Sequence, residues 1–360
     1  MDLFFNLYKI RFVLLDELLN NVEIDLTKEA NIYINLEPII RKTTVNMDQE
    51  LRIKNKERVL EFISCVINLA AHYRLYFSRK KVFSKVYLYL GYPFNINYIN
   101  NDLYPNYRNN YSNTFMSNES VGMKNILQEG LPLLKIICEF IDGVYFIESG
   151  NIEPSLIPLI INEENDNFKN CNNFIVTTDK YEYQYSLKDF YILRPKQKNS
   201  YILYSRNIME QMMIEEKMIP NSELNQNIIP FILSILGSEY RSIPKLKGLG
   251  FKSIIKAINK GIDLGLISDK VNNIFILSKI IKEDFHETLF LNYLLTDLDS
   301  QYKKIKDIDK YNIIYQLKDK FDNKGLKEMN DEYFASYPLN IMEIMSSCKY
   351  KNKDKKIKLF

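Results

Sequence analysis

Reactive chemistry in this chain would have to come from carboxylates, lysines and backbone amides, because the other usual groups are scarce. The 360 residues include only two histidines, His72 and His286. A Ser-His-Asp constellation or a histidine-rich metal site is therefore not indicated, and both histidines read as packed or surface side chains. Cys65, Cys138, Cys171 and Cys348 are far apart and form no CxxC pair. That spacing argues against structural zinc and a disulfide framework, and fits a reducing cytoplasm. The stretch that does suggest chemistry is Ser242-Ile-Pro-Lys-Leu-Lys-Gly-Leu-Gly-Phe-Lys-Ser-Ile-Ile-Lys-Ala-Ile258. Gly248 and Gly250 mark a turn, a helix starts just after it, and Lys245, Lys247, Lys252 and Lys256 surround it. Glycine lets the backbone adopt positive φ and approach a phosphate closely. The first N–H groups of the helix, with Ser253 in its opening turn, and the helix dipole then face the anion. The segment reads as a helix–hairpin–helix turn that holds a nucleic-acid backbone; the alternative is a helix that simply starts at a packing turn.

Net charge is only +3, so phosphate attraction must come from local patches rather than from the chain as a whole. No run approaches the about 20 apolar residues of a membrane span. The start, Met1 to Leu19, is apolar but interrupted by Lys9, Arg11 and Asp16, and reads as an amphipathic helix rather than a signal peptide.

The elements that must position the lysine turn are strands alternating with helices. Asn31–Glu37, Val82–Leu90, Val144–Ile147 and Asn173–Asp179 are β-rich runs. Residues 49–80 carry Val59, Phe62, Ile63, Val66, Ile67 and Ala70 at helical spacing, and 127–142 reads as a second amphipathic helix. A further helix is expected near Pro154, since proline is tolerated in a first turn. This order predicts an α/β fold with a mainly parallel sheet, and places functional groups beyond the carboxyl ends of its strands. Residues 92–126, rich in Asn and Tyr, read as a loop or arch. After Pro195 the pattern becomes helical apart from Ser200–Tyr204, and the chain ends in a lysine-rich stretch that reads as a solvated tail.

In order and spacing, three of these segments resemble the flap endonuclease / 5′–3′ exonuclease family, in its bacterial and bacteriophage branch, over roughly residues 30–270. Tyr104-Pro-Asn-Tyr-Arg108 is similar to the family's Tyr-Pro-x-Tyr-Lys arch signature. Thr177-Thr-Asp-Lys-Tyr-Glu-Tyr-Gln184 resembles its Thr-x-Asp-x-Asp-x-x-Gln strand-end motif. Gly237 to Lys252 resembles its helix–three-turn–helix region, Gly-Asp-x-x-Asp-Asn-Ile-Pro-Gly-Val-x-Gly-Ile-Gly-x-Lys. The resemblance implies a PIN-like nuclease domain over 29–200, with the arch at about 92–126, and a helix–three-turn–helix DNA-binding domain over 201–295. Residues 1–28 and 296–360 would be helical extensions, the latter with the basic tail.

The departures fall on the acids. The family holds two divalent metals in a carboxylate cluster, and the metals neutralise the phosphate and activate water. Here the first-strand aspartate position carries Asn35, the second falls at Leu90-Gly91, and the acidic helix start leaves only Glu153, displaced by one position. Tyr181 replaces the second aspartate of the fourth motif, and Ser238 and Arg241 replace acids of the fifth, leaving Asp179 in register. The phosphate-holding positions Arg108, Gly248, Gly250 and Lys252 persist, and Arg108 adds the bidentate grip of a guanidinium. The reading is a catalytically inactive homologue that binds DNA through Arg108, Lys245, Lys247, Gly248, Gly250, Lys252, Ser253 and Lys256. It would work within a phage-like replication, recombination or transcription assembly in the cytoplasm (the host's, for a virus). Mg²⁺ is not expected; K⁺ held by backbone carbonyls at 248–250 is compatible with the resemblance. The alternatives are a structural subunit that uses the fold to dock protein partners, and a residual nuclease with one metal on Asp179 and Glu153 or Glu182.

Overall fold

The structure is a computed structural model. It describes residues 24–40, 55–91, 104–107, 126–139, 141–165, 170–188, 190–195, 201–204, 228–238, 241–265 and 274–317. The expected leading helix, most of the expected arch with Arg108, and the basic tail lie outside these residues.

Five parallel strands form the centre: β1 (Ala30–Asn35), β2 (Ser84–Leu90), β3 (Val144–Glu148), β4 (Asn172–Val176) and β5 (Phe190–Pro195). A short β6 (Tyr201–Tyr204) pairs antiparallel with β5, giving the order β3-β2-β1-β4-β5-β6. The sheet therefore continues past residue 200. The expected α/β class and mainly parallel sheet are what the chain forms, but β5 was not read as a strand of its own.

Parallel strands covered on both faces show continuous apolar runs, because alternate side chains enter different cores. Ile32, Ile34, Val86, Leu88, Val144, Phe146 and Phe174 face one core. Against them pack the long helix α1 (Asn55–Arg79) and α2 (Leu131–Glu139), the latter preceded by a π-helical turn at Ile126–Gly130. The predicted helix over 127–142 thus opens as a wider turn and stops at Glu139. Tyr33, Tyr87, Tyr89, Tyr145, Ile147, Ile175 and Ile192 face the second core. The strand register sets Tyr33 beside Tyr87 and Tyr87 beside Tyr145. Their rings stack at 5.0 and 5.2 Å, a ladder that holds three strands in register.

The same second core takes up the helices that follow. These are α3 (Ile157–Glu163, after a 3₁₀ turn at Pro154–Leu156), α4 (Ile229–Leu236), α5 (Phe251–Asp263) and α7 (His286–Thr296). Between α5 and α7 lies the short α6 (Ile274–Leu277), and α8 (Leu298–Tyr302) and α9 (Asp307–Tyr315) follow. No described helix is long and apolar enough to cross a membrane.

Gly237 decides how the chain leaves α4. Its φ is 62°, and a Cβ there would lie 2.6 Å from the Ile243 carbonyl oxygen and 2.7 Å from the Lys245 nitrogen. The returning backbone of residues 243–245 thus occupies the space any side chain would need. Gly237→Ala is expected to destabilise the protein by on the order of 2 kcal/mol or more. Gly250→Ala, at φ −106° with nothing within 4 Å, should change stability by well under about 1 kcal/mol. Chemical denaturation of both variants checks the contrast.

Candidate nucleic-acid interface and the strand-end charge cluster

The lysine turn is built by the segment that crosses back under α4. Ser238 and Ile243 exchange backbone hydrogen bonds at 2.9 and 2.8 Å, closing a tight loop with Ser242 at φ 55°. Asn292, buried on α7, donates to the carbonyls of Ser234 and Pro244, both at 2.7 Å, and Leu246 N–H donates to Ile235 at 3.0 Å. These bonds hold the loop while Lys245, Lys247, Lys252, Ser253 and Lys256 remain exposed. Gly248, at φ 79°, takes the turn conformation that disfavours a side chain. Helix α5 begins at Gly250 without a side-chain cap, and buries Ile254, Ile255 and Ile258 on its other face. The turn and helix start lie where the sequence predicts them, and the lysines on either side of them are exposed.

Beyond the carboxyl ends of β1, β3 and β4 lies a second cluster. Glu153 precedes the 3₁₀ turn after β3 and is wholly buried. Asp179 follows β4, with Thr177 Oγ1 accepting from its N–H and its own Oδ1 accepting from Tyr181 N–H. Between the two carboxylates sits Arg241, from the loop before the lysine turn. Its Nη1 donates to Glu153 Oε1 at 2.6 Å and its Nη2 to Asp179 Oδ2 at 2.5 Å. The Arg241 side chain is 2% exposed and its guanidinium lies 4.4 Å over the Tyr181 ring. Tyr107 OH donates to Glu153 Oε2 at 2.9 Å, and Ser155 Oγ to Glu153 Oε1 at 3.2 Å. A charge removed from water this completely persists only with such pairing and hydrogen bonding.

Glu182 completes the group from inside. Its Oε1 accepts from Asn35 Nδ2 at 3.0 Å and from Tyr89 OH at 2.7 Å, the two donors being neighbours across β1 and β2. Burial, followed by the negative charge of Asp179, pushes its carboxyl up to about 8.

Asp179 is the acid in register in the sequence, with Glu153 and Glu182 named beside it; the fold brings all three to the strand ends, where Arg241 bonds Glu153 and Asp179. Glu182 was displaced from the motif position, now Tyr181, but residues 180–188 wind as a 3₁₀ helix that turns Glu182 inward. Tyr107, Asn35 and Tyr89 were not read as partners of these acids. Asn35 and Tyr107 could have been suspected, since both stand inside the motifs quoted above. Arg108, one residue beyond Tyr107, is outside the described residues.

Hard divalent ions need oxygen ligands in near-octahedral array, usually with one or two carboxylates free to bind the ion directly. Here an oxygen of Glu153 and one of Asp179 are bound to a guanidinium, and Glu182 is held by an amide and a phenol. Among the described residues no group of three or more His, Cys, Asp or Glu side chains is arranged to hold a metal. The described residues do not fit a divalent-metal pair.

The architecture is an α/β fold with a five-stranded parallel core, a strand-end acidic cluster and a helical lysine turn. Two solved structures share that fold. One is a pseudo-enzyme form of the bacteriophage T5 flap endonuclease, in a product complex with DNA and metal ions. It is 15% identical at a TM-score of 0.50, over 80% of this chain and 98% of that one. The other is the T5 5′-exonuclease with bound zinc, 14% identical at a TM-score of 0.51, over 81% of this chain and all of the other. No family model and no curated protein matches the sequence. At this identity the likeness establishes the fold.

Glu182 gives this region a pH signature. Its folded value, about 8, lies above the usual 4.5, so between them the folded state holds the extra proton. That contribution to stability is full on the acid side of the window and is lost as pH rises toward about 8. Glu182→Gln keeps an acceptor for Asn35 and Tyr89, and should flatten the fall in melting temperature between pH 5 and 8. Equal slopes in the two proteins would contradict the assignment.

Proposed function

We propose that this chain is a DNA-binding protein on a 5′-nuclease fold, one that holds nucleic acid without cutting it. The observation that carries the reading is Arg241. A buried guanidinium occupies the space between Glu153 and Asp179 where metal-dependent cleavage would need free carboxylates and positive ions. A divalent ion placed there would be repelled by Arg241 and would compete with it for the same oxygens. The lysine turn, by contrast, presents exposed cations and an uncapped helix start, which suit a phosphate backbone. The T5 pseudo-enzyme form, which shares this fold, is in a complex with DNA and metal ions, and so supports nucleic acid as the ligand.

On this reading residues 201–295 are the DNA-holding part, Lys245, Lys247, Lys252 and Lys256 contact phosphate, and the Gly248–Gly250 backbone takes the closest approach. Arg108 would extend the grip from the base of the arch. The carbonyls of the 248–250 turn suit a monovalent cation such as K⁺, and the role belongs to a replication, recombination or transcription assembly of phage type. A protein-docking role has one specific observation in its favour. Ile308, Tyr311 and Tyr315 expose 61%, 60% and 53% of their surface along one stripe of α9, as interface aromatics do.

Binding of a 5′-flap duplex, measured across a salt series, tests the proposal. Affinity should fall with salt at a slope of about −0.9 per phosphate neutralised, and Lys245→Ala/Lys247→Ala/Lys252→Ala should make that slope shallower by roughly two to three. Binding that ignores salt, or is absent at low salt, would sink it. With Mg²⁺ or Mn²⁺ the flap should stay intact. Cleavage that disappears in Asp179→Asn would establish a residual enzyme instead.

A further inference from the structure

We infer that Arg241 is a positioning residue that ties the lysine turn to the strand ends, so that Glu153 and Asp179 act on nucleic-acid binding without touching nucleic acid. The inference rests on the DNA-holding reading for its functional consequence, and on geometry alone for the coupling.

Arg241 cannot itself reach a phosphate, because its side chain is only 2% exposed. Its backbone, however, is part of the loop that carries the lysines. Arg241 N–H bonds to Ser238 Oγ at 3.2 Å, inside the Ser238–Ile243 bridge, and Lys245 follows four residues later. The Arg241 guanidinium meets three other segments: Glu153 and Ser155 after β3, Asp179 and Tyr181 after β4, and Tyr107 OH at 3.3 Å. Tyr107 closes a turn onto the Tyr104 carbonyl at 3.0 Å and immediately precedes Arg108. One buried cation thus joins the base of the arch, two strand ends and the lysine turn. Planar donors at fixed angles hold two carboxylates in one orientation, which a flexible ammonium does not. Removing the fork should free the lysine turn to move relative to the strand ends and reduce affinity for a ligand that the turn holds.

The test uses the full chain, a 5′-flap duplex and amide hydrogen exchange. Arg241→Met should weaken flap binding about tenfold or more with the salt slope unchanged, because no phosphate contact is lost. Exchange should quicken at Tyr107, Ile243 and Leu246, while β1 and β4 amides keep their protection. Arg241→Lys should recover part of both effects. If Arg241→Met alone fails to fold, the triple variant Arg241→Met/Glu153→Gln/Asp179→Asn leaves no buried charge unpaired. It should fold and still bind weakly. A folded variant that binds like the wild type, or a slope reduced by about one, would overturn the inference. Should the wild type not bind DNA, the functional reading fails. Exchange at Tyr107, Ile243 and Leu246 then still decides the coupling: faster in Arg241→Met supports it, unchanged refutes it.

Discussion

Two carboxylates that share a buried guanidinium set the terms for the whole carboxyl edge of this sheet. Neither Glu153 nor Arg241 could remain charged at its depth alone, since each would lose several kcal/mol of hydration. Together, with the hydroxyls of Tyr107 and Ser155 and the ring of Tyr181, they satisfy one another. Breaking one partner of such a pair costs about 3–5 kcal/mol, because the other is left uncompensated. The loops that meet there are therefore held by charge as much as by apolar packing.

The sheet makes this convergence possible. Parallel strands place their carboxyl ends on one edge, and the tyrosine ladder of Tyr33, Tyr87 and Tyr145 fixes their register. Asn35 and Tyr89 then end side by side and grip Glu182, while the loops after β3 and β4 deliver Glu153 and Asp179. The helices after the sheet bury their apolar faces in the same core and bring Arg241 back over that edge. The lysine turn is the outer rim of the same returning segment. At this edge Glu153 and Glu182 are buried and Asp179 is partly exposed, while the lysines of the turn face solvent.

Much of this frame is legible in the sequence. The strands announce themselves as unbroken apolar runs because both sheet faces are covered. The turn and the helix after Gly250 follow from two glycines and the spacing of Ile254, Ile255 and Ile258. β5 escaped notice, since Tyr191-Ile-Leu193 is short and lies between polar flanks. The cluster itself was half visible: Arg241 was read as a positive charge in an acid's place, but its partners lie 88 and 62 positions away in the chain. Nothing local pairs them. The inward turn of Glu182 depends on the 3₁₀ winding of 180–188, which the tyrosine-rich sequence does not display.

On the proposed function an internal cation stands where divalent ions would be needed, and the protein holds nucleic acid. The most direct measurement is flap-DNA affinity of the wild-type chain in EDTA and in Mg²⁺ at matched ionic strength, with the DNA recovered and sized afterwards. Equal affinity in both conditions with uncut DNA is the result this account requires. Binding that depends on Mg²⁺, or cleavage that Asp179→Asn abolishes, would contradict it.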